Sequence, residues 1–112
     1  MNGKHSKGPR IVYIAGPMRG LPDLGRANFN RAEELLKKEG WIVLNPARLP
    51  VGMPDAAYMP ICLAMVDQAD TIALLPGYEN SAGAQVEIAY GAQTNKEIIY
   101  MAEYGKTAEA KT

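Results

Sequence analysis

The stretch TIALLPGYENSAGAQVEIAYGAQ, residues 71–93, changes character midway, and that change decides the fold. Its opening TIALLP is a short apolar run stopped by proline, the pattern of a strand buried on both faces. GYENS reads as loop. From Ala82 onward small and apolar residues follow a helical pattern, and Ser81 stands where a helix cap belongs. A buried strand that feeds a helix is half of a β-α-β unit, so the question is whether the rest of the chain repeats it.

It does. RIVYIAG (residues 10–16) is β-branched, aromatic and ended by glycine, and so reads as a first buried strand. PMRGLPDLG is loop. From Arg26 to Gly40 an amphipathic helix is predicted, with Phe29, Ala32, Leu35 and Leu36 on one face. WIVLNP (residues 41–46) is a second buried strand stopped by Asn-Pro, and the proline-rich ARLPVGMPDA a surface connection. Residues 57–69 have helical spacing in Ile61, Met65 and Ala69, with Pro60 tolerable only near the helix start. EIIYMA (residues 97–102) closes the series as a further strand, and the segment after it reads as a frayed end with room for a short fifth element.

Alternating strands and helices require right-handed crossovers and a parallel sheet. The predicted fold is a small three-layer, doubly wound, flavodoxin-like α/β domain. Its sheet should have four to five parallel strands with helices on both faces. The domain is expected over residues 10–104, between disordered tails at 1–9 and 105–112. In such sheets ligands bind beyond the carboxyl ends of the strands, near the point where strand order reverses. The loops after the first and third strands are therefore the ones to inspect.

Composition narrows the function. With 112 residues there is room for one domain, and 47% hydrophobic against 21% charged residues suits a packed globule. Twelve Lys+Arg balance twelve Asp+Glu, so no net field favours a nucleic-acid polymer or an anionic membrane. No apolar run approaches the ~20 residues that span a bilayer, and MNGKHSKGPR lacks a signal-peptide core, which predicts a cytoplasmic protein. Cys62 is the single cysteine and His5 the single histidine, so no internal disulfide or zinc cluster can form within one chain. No metal or cofactor is expected.

The first loop, AGPMRG, offers Gly16, Pro17, Met18, Arg19 and Gly20 as candidate binding residues. Glycines permit close backbone approach, and the Arg19 fork suits phosphate or carboxylate. A plain tight turn with a solvated arginine is the competing reading. It matches neither a Walker loop nor GxGxxG. In the second loop, NSAG places Ser81 and Gly83 at a helix N-terminus whose free amides favour an anion, although the residues alone favour Ser81 as a simple cap. Glu87 shares a helical stripe with Gly83, Ala84 and Gly91. It either rims the helix or faces a pocket. In a pocket it would serve as nucleophile or general base, with its basicity set by partial burial against a donor such as a tyrosine hydroxyl.

YIAGPMRG and LLPGYENSAGAQVEIAYG, with the order of elements between them, resemble the nucleoside 2-deoxyribosyltransferase-like superfamily. Within it the chain is most similar to the largely phage and prophage family called domain of unknown function 4406, over roughly residues 10–101. The resemblance implies an enzyme of N-glycosidic bonds, a hydrolase or deoxyribosyltransferase, acting on a (deoxy)nucleoside 5'-monophosphate. In the deoxyribosyltransferases and the 2'-deoxynucleoside 5'-phosphate N-hydrolases a glutamate attacks C1', and a water or a second base resolves the glycosyl-enzyme. Glu87 falls on that nucleophile and Tyr13 on the tyrosine that orients it. Ser81 and Arg19 fall on the residues that hold the 5'-phosphate in the hydrolase branch.

The family pattern further implies a homodimer or higher homo-oligomer in which a neighbouring subunit helps to close the site. One position departs from it. Where relatives carry an aspartate that helps protonate the leaving base, this chain has Cys62, within MPICLAMVDQAD. A thiol, with a pKa of about 8.5, is a poor replacement for a carboxylic acid. Tyr58, Asp55 or a partner subunit are alternative donors; Asp67 falls on another helix face and Asp70 reads as a connector. The departure keeps a second expectation open, a nucleotide-binding or nucleotide-sequestering module without turnover. A third is an interaction role for Tyr58, Met59 and Tyr104.

Overall fold

The computed structural model describes residues 10–104; the tails expected at 1–9 and 105–112, with His5, lie outside the described residues. Four strands form one sheet: β1 (Ile11–Ala15), β2 (Ile42–Leu44), β3 (Thr71–Leu74) and β4 (Glu97–Tyr100). Their order is β2-β1-β3-β4 and every pairing is parallel. Three helices connect them: α1 (Arg26–Lys38), α2 (Asp55–Gln68) and α3 (Ala82–Gln93). The chain winds outward from β1 to β2 and then crosses back to β3, so strand order reverses between β1 and β3. This is the three-layer, doubly wound arrangement, with four strands.

Alternation along the strands explains the layering. Val12, Ile14 and Ala73 point to one face and pack with Phe29, Ala32 and Leu36 of α1. Tyr13, Ala15, Ile72 and Leu74 point to the other and pack with Cys62, Val66 and Ala69 on the α2 side and Ala84 of α3. Phe29 and Leu36 are fully buried, which stabilises by roughly 1.5–3 kcal/mol each. Gly40, left-handed at φ +91, ends the α1 turn.

Two details of α2 differ from the sequence reading. The helix starts at Asp55 rather than residue 57, so Pro60 is its sixth residue, past the first turn. Ala56 thereby loses the helical donor that residue 60 would otherwise supply. The deepest helical positions are Cys62 and Val66, each one position on from the predicted Ile61 and Met65, while the predicted Ala69 is buried as the residue that caps the helix. A helix apolar on nearly every side carries little phase information, so the packing partners set the rotation. That rotation brings Cys62 under the sheet's carboxyl edge.

PMRGLPDLG is also more ordered than a plain loop. Pro22–Gly25 forms a 3₁₀ turn in which Asp23 (φ 51) and Leu24 (φ 55) are left-handed. Two consecutive non-glycine residues in that region are costly and need the surroundings to hold them. At the end of the described residues, 101–104 turn helical, so the predicted strand over 97–102 stops at Tyr100. Among the described residues no helix is long and apolar enough to cross a membrane.

Candidate active site

At the carboxyl edge of β1 and β3, where strand order reverses, lies a cavity of about 830 Å³. That size falls within the usual range of small-molecule sites. Its wall is built from the loop after β1, the segment after β2, the start of α2 and the first two turns of α3. Every residue named above as a candidate borders it: Tyr13, Gly16, Pro17, Met18, Arg19, Gly20, Cys62, Ser81, Gly83 and Glu87.

Glu87 sits on the second turn of α3 and is only 7% exposed. Tyr13, itself completely buried in the middle of β1, donates its hydroxyl to Glu87 Oε2 at 2.9 Å. The strand aims the tyrosine upward and α3 brings the carboxylate down to meet it. Cys62, also buried, borders the cavity next to this pair. No cation is paired with Glu87 among the described residues. Burial therefore dominates and pushes its carboxyl from the ordinary 4.5 up to about 7, against the opposing pull of the Tyr13 and Cys62 hydrogen bonds. Burial also raises the Tyr13 phenol and the Cys62 thiol, so both keep their protons at neutral pH.

The remaining candidates divide between binding and packing. Ser81 caps α3, accepting from the Ala84 amide at 3.2 Å, and its hydroxyl proton stays available to a ligand. Gly83 faces open space, with Met59 Cε 3.8 Å from where a Cβ would be. Gly20 is left-handed (φ +85) and also open. Gly16 has a different cause: a Cβ there would lie 2.7 Å from Leu75 Cβ, so its close approach is to the core rather than to a ligand. Gly91, on the Glu87 stripe, likewise makes room for Ile72, and it does not border the cavity.

Arg19 reaches Asp55 at the start of α2, 3.1 Å away, with both side chains largely exposed at 83% and 79%. Such a pair is weak, and a bound anion could take the guanidinium from it. Tyr58 donates to the Pro50 carbonyl at 2.6 Å and accepts from the Met53 amide, which braces the segment before α2. Asp67 points elsewhere, to the Tyr90 hydroxyl, and Asp70 accepts from the Ile11 amide at the far end of the sheet.

Sequence reading missed Arg26. This first residue of α1 also borders the cavity, held by the Ala47 carbonyl at 2.9 Å and by Asp23 at 3.5 Å. Its signal was positional: the helix after β1 begins at the same sheet edge as Arg19.

The cavity thus lies at the carboxyl edge of a parallel sheet and is bordered by a buried carboxylate, and two solved structures are similar to the chain. A 2-desoxiribosyltransferase from Leishmania mexicana matches with a TM-score of 0.67 and 25% identity, over 82% of this chain and 63% of that one. The solution structure of BlsM matches with a TM-score of 0.67 and 25% identity, over 91% of this chain and 70% of that one. The chain thus spans less than two thirds of the length of the first of these relatives. The fold is deoxyribosyltransferase-like. Residues 10–100 match the family model described as domain of unknown function 4406, and the chain belongs to that family. No curated protein matches it in sequence.

Proposed function

We propose that the protein cleaves the N-glycosidic bond of a nucleoside 5'-monophosphate, with Glu87 as nucleophile. One observation carries the reading: a buried carboxylate with hydrogen-bond donors but no cation, facing a cavity large enough for a nucleotide. A structural carboxylate gains nothing from such a place, since burial without a counter-charge is unfavourable. A nucleophile gains basicity there, and its charge opposes the positive, oxocarbenium-like transition state at C1'.

Tyr13 holds one carboxylate oxygen and leaves the other for C1'. Arg19, Arg26 and the capped start of α3 at Ser81 bind the 5'-phosphate, where the helix dipole and free amides add to the guanidinium charges. The bond from sugar to base breaks as Glu87 attacks, and water or a second base then attacks the ester. The exposed apolar side chains of Leu24, Val51 and Val86 around the cavity suit contact with a second subunit, which would narrow its mouth.

The test is release of free base from a panel of ribo- and deoxyribonucleoside 5'-monophosphates, followed by chromatography, with Glu87→Gln as the control. Base release that disappears in the variant supports the reading; no release from any member of the panel contradicts it. Cys62 favours one other reading, a nucleotide-binding module without turnover. Calorimetric binding with the ligand recovered intact would be its signature.

A further inference from the structure

The cavity holds a nucleophile, but it offers little that can protonate a departing base. Among the described residues its only carboxyl groups are Glu87 and Asp55. Glu87 must be ionised to attack. Asp55 stands on the open rim, 79% exposed and 3.1 Å from Arg19, at the anion-binding end of the cavity. The Tyr13 proton is committed to Glu87 and the Tyr58 proton to the Pro50 carbonyl. Among this chain's described residues that leaves Cys62 facing the Tyr13–Glu87 pair, whose raised thiol pKa makes it a sluggish proton donor.

A neutral purine or pyrimidine leaves C1' as an anion unless it is protonated, so a missing acid costs about 10²–10⁴ in rate. A base bonded to C1' through a positively charged ring nitrogen has no such need. We infer that the site serves N-glycosides with a cationic leaving group, nucleoside 5'-monophosphates whose base is a pyridinium, because its cavity supplies a nucleophile and anion-binding groups without a free acid. This rests on the glycosidic reading above and names its substrate class.

The atoms balance without a donor. Glu87 bonds to C1', the C1'–N bond breaks, and its electron pair neutralises the ring nitrogen, so the base departs uncharged. Water then adds to C1' and releases Glu87, giving the sugar 5-phosphate and one proton to solvent. The wall fits such a ring on two counts. Glu87 and Asp55 give negative potential to a cation, and Met18, Met53 and Met59 offer polarisable apolar surface to a flat face.

The experiment compares kcat/KM for nicotinamide mononucleotide with those for adenosine and cytidine 5'-monophosphates, which share its ribose and phosphate. The expected result is a preference of at least 10-fold for the pyridinium substrate. Cys62→Asp should raise the neutral-base rate relative to the pyridinium rate at least 10-fold, because an acid helps only the leaving group that needs a proton. Equal or faster cleavage of the neutral-base nucleotides by the wild-type protein overturns the inference while leaving the glycosidic reading intact. Cleavage of none of them overturns both.

Discussion

Two buried glutamates, Glu33 on α1 and Glu87 on α3, are equally hidden, 4% and 7% exposed, and chemically opposite. Glu33 accepts from Arg48 Nε and Nη2 at 2.8 and 3.0 Å, from Asn45 at 2.8 Å, and from Lys37 at 2.8 Å. Those cations and donors pull its carboxyl from 4.5 down to about 2. Glu87 has a phenol and a thiol instead, and its carboxyl rises to about 7. Burial is common to both; the partners decide. Glu33 ties α1 to the segment after β2, where Asn45 also caps the Pro46–Arg48 turn through the Ala47 amide. Its charge is saturated, whereas Glu87 has no cation beside it among the described residues.

The sharpest way to break this contrast is to neutralise each carboxylate in turn. Glu87→Gln should lower base release by about 10³-fold or more while the protein stays folded. Glu33→Gln should leave turnover per folded molecule near wild type and cost about 1–2 kcal/mol of stability, screened because Arg48 and Lys37 are exposed. Denaturant midpoints and initial rates measured on the same samples separate the two outcomes.

The pH dependence should run in opposite directions. The folded pKa of Glu87 lies above the unfolded value, so its contribution is fully present below pH 4.5 and is lost as pH rises through about 7. The loss approaches about 3 kcal/mol, so Glu87→Gln should be more stable than wild type at pH 8 and nearly equal to it at pH 4. The folded pKa of Glu33 lies below its unfolded value. Its contribution is present above pH 4.5 and is lost as pH falls toward about 2, and Glu33→Gln should erase that acid sensitivity. Unfolding curves at several pH values check both signs.

Tyr13→Phe should lower kcat by about 10- to 100-fold and move the acidic limb of the rate profile to higher pH, since its hydrogen bond holds the Glu87 pKa down. A fall in rate with an unmoved limb would mean that Tyr13 only packs. The smallest effect belongs to Arg19→Ala. It should raise KM for a phosphate-bearing substrate several-fold and change stability by less than about 0.5 kcal/mol, because its bond to Asp55 is exposed.

Sequence alone was enough for the alternation of elements and for the loops that meet at the site, because apolar strands and the Gly40 stop of α1 carry strong local signals. WIVLNP, expected to be buried, is instead a partly exposed edge strand, since a sheet order of β2-β1-β3-β4 leaves β2 with one neighbour. Glu87 stood out for the same reason, as a carboxylate on a stripe of small residues. Less of the packing could be read. α2 is apolar on most sides, so the position of its start and the inward turn of Cys62 depend on contacts with the sheet. The left-handed residues Asp23 and Leu24 carry no glycine to announce them. Gly16 looked like clearance for a ligand and instead accommodates Leu75, a distinction only three-dimensional neighbours can make. The saturation of Glu33 depends on Asn45 and Arg48, twelve and fifteen positions away, beyond any helical spacing.

The central claim is that the carboxylate without a counter-charge is the reactive one. Incubation with a 2'-fluoro-2'-deoxynucleoside 5'-monophosphate, whose fluorine slows hydrolysis of a glycosyl ester, followed by peptide mass mapping, tests it most directly. A fluorodeoxyribosyl phosphate adduct is expected on Glu87 and none on Glu33. Base released without modification of Glu87, or an adduct on another residue, would contradict it.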